Sequence, residues 1–204
     1  MKKKLINSII SLVILGFFCT GVLFSWAHHQ RDRAQVFLQE IVSLQVGVST
    51  FSDAQRLAQK YGGKPWNGPS QKPICSDKDC NLRFVFENSL LNHLQHKRKV
   101  SLTAGLLVKD GYVVSREVDY SILATTFERE FMFVVFDRTE SKSPQSYNVK
   151  KLKVDTHGMP HAIEVDLSPT SPAEIKRRAY SLDLSCIASL MGCDTASAVF
   201  PAGW

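Results

Sequence analysis

The feature that most constrains this chain is an uncharged segment near its amino terminus. Lys2, Lys3 and Lys4 are followed by 23 residues without a charged side chain, from Leu5 to Ala27. A helix needs about 20 predominantly apolar residues to cross the hydrocarbon core of a bilayer, so this segment is long enough. The sequence therefore predicts a transmembrane signal anchor over residues 5–27, through which the chain contacts the lipid bilayer.

The charges on either side of the anchor predict its orientation. Three lysines and the terminal amine precede it, whereas Arg31 and Arg33 follow it, with Asp32 between them. Because basic residues are preferentially retained in the cytoplasm, we expect residues 1–4 to form a cytoplasmic tail. Residues 28–204 are then an extracytoplasmic domain, on the periplasmic side of a bacterial inner membrane.

Two other kinds of amino-terminal signal have to be considered. The tripeptide Ser25-Trp26-Ala27 has small residues where signal peptidase reads them, so cleavage before His28 stays open. The uncharged segment is longer than the core of about 7–15 residues in a cleaved signal peptide, which favours a retained anchor. A lipoprotein is disfavoured because Cys19 follows two bulky residues, Phe17 and Phe18.

Composition and charge narrow the class of protein. Hydrophobic residues make up 44% of the chain and charged residues 22%, which is ordinary for a globular protein. Beyond residue 27 there are 22 basic and 19 acidic residues, a net charge of +3. This charge is too small to indicate binding to nucleic acid, and we expect no nucleic-acid partner.

The cysteines beyond the anchor form two local pairs, Cys75 with Cys80 and Cys186 with Cys193. An even number outside the cytoplasm predicts disulfides. On a continuous helix the second pair would lie about 10.5 Å apart, whereas a disulfide needs Cα atoms within about 7 Å. Closure of this pair therefore needs the helix to end between the two cysteines, and Gly192 is a suitable terminator. Pairing between the two clusters and a four-thiolate zinc site stay open, although zinc ligands are usually more closely spaced.

Hydrophobic spacing predicts helices at both ends of the exported part. One helix is expected over Arg33–Leu44, ended by Gly47, and a second over Asp53–Tyr61, ended by Gly62 and Gly63. Thr50 or Ser52 is the expected N-cap of the second helix. Residues 64–74 have the composition of a loop. Near the carboxyl end, Ser171 is expected to cap a helix through Tyr180, and Asp183 or Ser185 a short one through Met191.

Between these helices the hydrophobic period changes to two, which predicts about six strands. They are expected near residues 82–87, 102–108, 114–120, 131–136, 147–154 and 161–167. Asp110-Gly111 and His157-Gly158 mark two hairpins. Short connections favour an antiparallel meander with helices on one face, so the predicted fold is a single α+β domain with two helices, the sheet and short carboxyl-terminal helices.

The segment from Leu44 to Gly62 carries a local pattern. A helix ends at Gly47, Ser49 and Thr50 follow, and a second helix ends in Tyr61-Gly62. Residues 44–62 thereby resemble the start of small bacterial outer-membrane assembly lipoproteins, which continue into a three-stranded sheet. The chain as a whole resembles single-pass bacterial envelope proteins with a short cytoplasmic tail, one anchor and a cysteine-paired ectodomain. The resemblance implies an envelope helix-helix-sheet module.

Candidate chemical groups are few. The sequence contains no nucleophile elbow, zinc-protease helix, phosphate loop or dinucleotide fingerprint. His93 with His96, and His157 with His161, have spacings that a metal accepts, but adjacent lysines and turn residues favour solvated loops. Glu117 and Asp119 are expected on the solvent side of a strand. We therefore expect no catalytic residue, no metal and no cofactor.

Two surface features remain. The basic run His96, Lys97, Arg98 and Lys99 is the best candidate for a partner surface, and a bilayer with anionic lipids would attract it. The apolar end of the chain predicts that Trp204 docks on the core.

These observations favour a membrane-anchored binding or scaffolding module. Two alternatives stay open. One is an envelope hydrolase whose site is assembled from distant residues, and the other is an envelope assembly factor with an envelope protein as its partner.

Overall fold

The computed structural model describes residues 2–67, 75–88, 98–124, 130–140, 146–154, 160–189, 193, 195–201 and 203–204. Two helices come first, α1 (Lys2–Ser43) and α2 (Phe51–Tyr61). Seven strands follow: β1 (Lys64–Pro65), β2 (Asp79–Glu87), β3 (Arg98–Lys109), β4 (Tyr112–Ala124), β5 (Glu130–Arg138), β6 (Tyr147–Val154) and β7 (Pro160–Leu167). Two short helices, α3 (Ala173–Ala179) and α4 (Ser185–Ala188), and a 3₁₀ turn (Ala196–Ala198) complete the chain.

Helix α1 is continuous, where the sequence predicted an anchor and a separate helix. It spans 42 residues, and its membrane-crossing candidate reaches a mean hydropathy of 2.1 over 18 residues. Residues 28–33 join the two predicted parts without a proline or glycine, so nothing in them ends a helix. Among the described residues, this is the one helix long and apolar enough to cross a membrane.

Helix α2 ends at Tyr61, as predicted, and begins at Phe51, two residues before the predicted start at Asp53. Thr50 is the N-cap, and Thr50 and Asp53 form a reciprocal capping box in which each side chain bonds the backbone of the other. Gly62 ends the helix in the left-handed conformation, with φ of 78°. Gly47 also has a positive φ, 86°, and turns the chain from α1 toward α2.

The strands form one mixed sheet in the order β1-β2-β3-β4-β5-β7-β6. The α+β class is confirmed, but the expected simple meander is wrong at one point, because β7 pairs parallel with β5. The connection after β5 takes the chain to the far edge as β6, and β7 then returns into the gap. A seventh strand arises because Lys64 and Pro65, in the predicted loop, pair with Arg83 and Leu82.

The hairpin between β3 and β4 turns at the predicted dipeptide. Asp110 and Gly111 both have positive φ, 53° and 83°, as a type I′ turn requires. The expected caps of the last two helices are wrong. Pro172 occupies the N-cap of α3, because the Ser171 hydroxyl instead accepts a bond from the Ser168 amide. Leu184 occupies that of α4.

The core lies on one face of the sheet, under α1, α2 and α4. The Phe37 ring centroid of α1 is 4.9 Å from that of Phe84 and 4.6 Å from that of Phe86, and Tyr61 closes this cluster at 5.1 Å from Phe37. Trp204 packs on the same core, as predicted, with its ring 6.2 Å from Phe133. Aromatic burial is therefore what holds α1 to the sheet.

The structure joins the cysteines within each local pair. Cys75 and Cys80 have Cα atoms 4.2 Å apart, and Cys186 and Cys193 have Cα atoms 5.7 Å apart. The second closure is possible because α4 ends at Ala188, as the helix-spacing argument required. Gly192, the expected terminator, lies outside the described residues.

The carboxyl end of α1 is held by a buried arginine. The last turn of α1 has no basic residue, and Arg116 of β4 supplies one from the sheet. Its Nη1 donates to the carbonyl oxygens of Ile41, Val42 and Leu44 at 2.7, 2.8 and 2.9 Å. A cation at this position complements the negative end of the helix dipole and satisfies carbonyls that have no partner within the helix.

The other two nitrogen atoms of the Arg116 guanidinium group also donate hydrogen bonds. Its Nη2 donates to Asp137 at 2.6 Å and its Nε donates to the Tyr180 hydroxyl at 3.0 Å. The side chains of Arg116 and Asp137 are 4% and 1% exposed, so the pair is shielded from water. Burial raises the pKa of Tyr180 to about 12, which keeps its hydroxyl neutral. Lys176 adds a second cation, 3.8 Å from Asp137.

We expect Arg116→Met to destabilise the protein by about 3–5 kcal/mol, because it leaves Asp137 buried and poorly compensated. Urea unfolding of the full chain in detergent, followed by circular dichroism, measures this change. Lys150→Met is the control, because it removes only an exposed ion pair with Glu164 and should cost far less stability. Equal losses in the two variants would contradict the role given to Arg116.

Candidate binding surface on the open sheet face

The second face of the sheet is built by the alternate residues of the strands. Along most of β2, β3 and β4, side chains alternate between buried and more exposed positions, and the apolar buried set points toward the helices. The alternation is broken at Ser121, which is buried on the second face. None of the described helices covers the other set. We call this second side the open face.

One row of paired residues crosses the middle of the open face. Arg83 of β2 lies opposite Gly105 of β3, and Gly105 lies opposite Glu117 of β4. Phe136 of β5 follows Glu117 in the same row. Opposite charges therefore flank a glycine.

Trp66 lies beside Asn81 at the edge of the sheet, two positions along β2 from Arg83, whose own partner on β1 is Lys64. Its backbone amide donates to the carbonyl of Asn81 at 2.8 Å, which fixes it beside β2. The guanidinium carbon of Arg83 lies 4.8 Å from the centre of the Trp66 ring, a cation–π contact. Trp66 is 40% exposed, although it is one of the largest apolar side chains in the protein. An aromatic ring held in place and open to solvent is suited to contact with a ligand.

Gly105 lowers the floor between Trp66 and Glu117. Gly105 has no side chain to fill the space beside Glu117, and it lines a shallow groove at this point. Polar side chains line the groove together with Trp66: Asn81, Arg83, Thr103, Glu117 and Asp119. We call this set the Trp66 groove.

Glu117 is the group in the groove whose proton affinity is altered. Partial burial between the strands raises the pKa of the Glu117 carboxyl, while Arg138 and Arg83 act in the opposite direction. Burial outweighs the two arginines, so Glu117 takes up a proton more readily than an exposed glutamate. Glu117 and Asp119 both lie on this face.

A second cleft, between α1 and α2, is occupied by its own side chains. Glu40 of α1 accepts bonds from Lys60 at 2.5 Å and from the Tyr61 hydroxyl at 2.9 Å. The Lys60 ammonium, by its hydrogen bond, holds the pKa of Glu40 below its ordinary value. These bonds join the two helices, so the polar side chains of this cleft have a structural role and are not offered to a ligand.

The predicted partner surface is only partly described. His96 and Lys97 lie outside the described residues. Arg98 and Lys99 begin β3, and the Lys99 side chain is exposed. The structure thus places the last two members of the basic run at one end of the sheet, away from the Trp66 groove.

Of the other candidate groups, only His161, Glu117 and Asp119 lie among the described residues. The first histidine pair and His157 lie outside the described residues, and His161 stacks on Phe131 with ring centroids 5.4 Å apart. Glu117 and Asp119 point away from the helices, as expected. Within the described ranges, no group of three or more His, Cys, Asp or Glu side chains is arranged to hold a metal ion.

Sequence reasoning missed the Trp66 groove. Trp66 lies in a segment interpreted as a loop, and its contact with Arg83 depends on the unexpected strand β1. The available signal was a tryptophan in a polar loop just before a strand that carries Arg83 on its solvent face.

The comparisons add no relative from which a site could be transferred. No family model matches the chain, and neither a curated protein nor a solved structure matches it. The groove therefore rests on its own geometry.

We expect Glu117→Gln to raise the urea midpoint of unfolding at pH 7 and to leave it nearly unchanged at about pH 3.5. The pKa of Glu117 is higher in the folded protein than in the unfolded chain. Ionisation of Glu117 therefore lowers the free energy of unfolding once the pH rises above the pKa of the unfolded chain. Below that value both states are protonated and glutamine changes little. Midpoints measured at both pH values test this expectation.

Glu164→Gln is the matched control, because Glu164 accepts a bond from Lys150 at 2.9 Å. Loss of that ion pair should not stabilise the protein at pH 7. Destabilisation of the Glu117→Gln variant at pH 7 would show that the groove does not disfavour the charged form.

Proposed function

We propose that this protein is a membrane-anchored, extracytoplasmic binding module whose ligand site is the Trp66 groove. The observation that carries the proposal is the groove itself, an exposed tryptophan stacked with Arg83 and placed across a glycine floor from Glu117. Its location is supported by the apolar amino-terminal part of α1 and by two disulfides, which persist in oxidising compartments.

The side of the membrane follows from charge. Lys2, Lys3 and Lys4 precede the apolar segment, and the cysteine pairs follow it. Both features favour an amino end in the cytoplasm and a domain on the periplasmic side of a bacterial inner membrane.

The chemistry of the groove favours a glycan as the ligand. Sugar rings combine an apolar face, which an exposed indole accepts, with hydroxyl groups, which carboxylates, amides and guanidinium groups bind. The groove supplies all three polar groups: Glu117 and Asp119 have carboxylates, Asn81 has an amide and Arg83 has a guanidinium group. Two acidic residues and one basic residue give no strong preference for a highly charged ligand.

One observation favours the hydrolase as a second candidate. Glycosidases use a pair of carboxyl groups of which one has a raised pKa, and partial burial raises the pKa of Glu117 on the same face as Asp119. Binding alone remains our proposal, because the groove is shallow and exposed, and glycosidases gain rate by enclosing the reacting bond. The assembly-factor alternative has the weak support of the local pattern in residues 44–62.

The test is isothermal titration of the full chain in lipid nanodiscs with a β-1,4-linked N-acetylglucosamine hexasaccharide. We expect saturable binding that Trp66→Ala weakens at least about tenfold, the equivalent of about 1.4 kcal/mol. Glu117→Gln should weaken binding as well, because it removes a charged acceptor.

Glu164→Gln is the control for charge on the same face, and it should leave the affinity unchanged. Absence of binding at millimolar sugar, or equal affinity in the Trp66→Ala variant, would overturn the glycan proposal. Shorter sugars in the recovered sample would show hydrolysis, and the hydrolase would then replace the binding module as the proposed function.

A further inference from the structure

We infer that the end of the sheet where β3 begins and β4 ends lies against the surface of the bilayer, with Lys99 and Leu123 in contact with anionic lipid headgroups. This inference rests on the proposed membrane anchoring. It adds a second membrane contact and fixes the orientation of the open face.

Two contacts, one at Arg33 and one at Ile41, show the direction in which α1 crosses the sheet. The Arg33 guanidinium lies 6.0 Å from the centre of the Phe86 ring, and Ile41 bonds Arg116. From Arg33 to Ile41 the helix rises about 12 Å. Through β3, Phe86 is in register with Tyr120, which lies about 13 Å from Arg116 along β4. The two lengths agree, so α1 runs nearly along the strands.

The rise per residue of the helix and of the strand places the end of the anchor at the same height as Lys99. Ala27 is six residues before Arg33, about 9 Å along the helix. Lys99 is three residues before Leu102, the partner of Phe86, about 10 Å along β3. The predicted outer end of the membrane segment and the start of β3 therefore lie at similar heights.

Packing at this end gives independent support. Ala27 is fully buried and packs on Ala188 of α4. The neighbouring residue Ile187 accepts a hydrogen bond from the side chain of Asn88 at 3.2 Å. Asn88 directly follows β2, so α4 connects the end of the anchor to the end of the sheet.

The side chains at this end suit a membrane interface. Lys99 of β3 lies opposite Leu123 of β4, and Leu123 is 39% exposed. A lysine beside an exposed leucine combines attraction to anionic headgroups with apolar burial at the interface. Arg98 precedes Lys99, whereas Glu130 is the partner of Leu123 in the same row. Glu87 lies opposite Ser101 in the next row, so the electrostatic part of the contact is modest.

The orientation also sets the height of the Trp66 groove. Gly105 is six residues beyond Lys99 on β3, so the groove lies about 20 Å from the bilayer surface. The ligand would then be held above the membrane.

Fluorophores at two matched leucines test the inference. Leu107 and Leu123 lie on the open face of the same hairpin, near its opposite ends, and are 37% and 39% exposed. Leu123→Cys and Leu107→Cys are each labelled in a Cys19→Ala background, in which the native cysteines stay paired. The full chain is held in nanodiscs with phosphatidylglycerol and a headgroup-linked quencher.

We expect at least threefold stronger quenching at position 123 than at position 107. Lys99→Glu should reduce the quenching at 123 in anionic discs and change it little in phosphatidylcholine discs. Equal quenching at both positions, in chains that resist alkaline extraction from membranes, would overturn the inference and leave the anchoring intact. Extraction of the chain by alkali would overturn both.

Discussion

The structure depends on the way in which one helix is fixed to the sheet at its carboxyl end. Arg116 bonds three carbonyl oxygens at the end of α1 while it is paired with Asp137 inside the protein. A cation placed there stabilises the end of the helix, and Asp137 and Tyr180 replace the water that the guanidinium loses. Helix α1 thus ends inside the domain, and its apolar amino-terminal part is an extension of a core element.

This arrangement accounts for the two sides of the sheet. The aromatic residues of α1, β2 and α2 fill one face, led by Phe37 between Phe84 and Phe86. The second face keeps Trp66 and Arg83 at its surface. Helix α1 runs nearly along the strands, so the membrane contact that we infer would lie at one end of the sheet. The Trp66 groove would then be held above the lipid, on a face that runs away from the bilayer.

Much of this fold was predictable from local signals. Thr50 and Gly62 bounded α2, and Asp110-Gly111 turned the hairpin, because caps and turns depend on neighbouring residues. The parallel pairing of β7 with β5 and the strand β1 were not predictable, since they depend on contacts distant in sequence. For the same reason the sequence placed Glu117 on the solvent face but could not bring Trp66 beside Arg83.

Helix α1 is one continuous element from its apolar amino-terminal segment to the sheet. Hydrogen–deuterium exchange of the full chain in nanodiscs, read on peptides that cover residues 28–44, tests this continuity. We expect slow exchange throughout this range, because the amides stay in one helix that packs on the sheet. Exchange of residues 28–33 at the rate of an unstructured chain would show a flexible linker and contradict it.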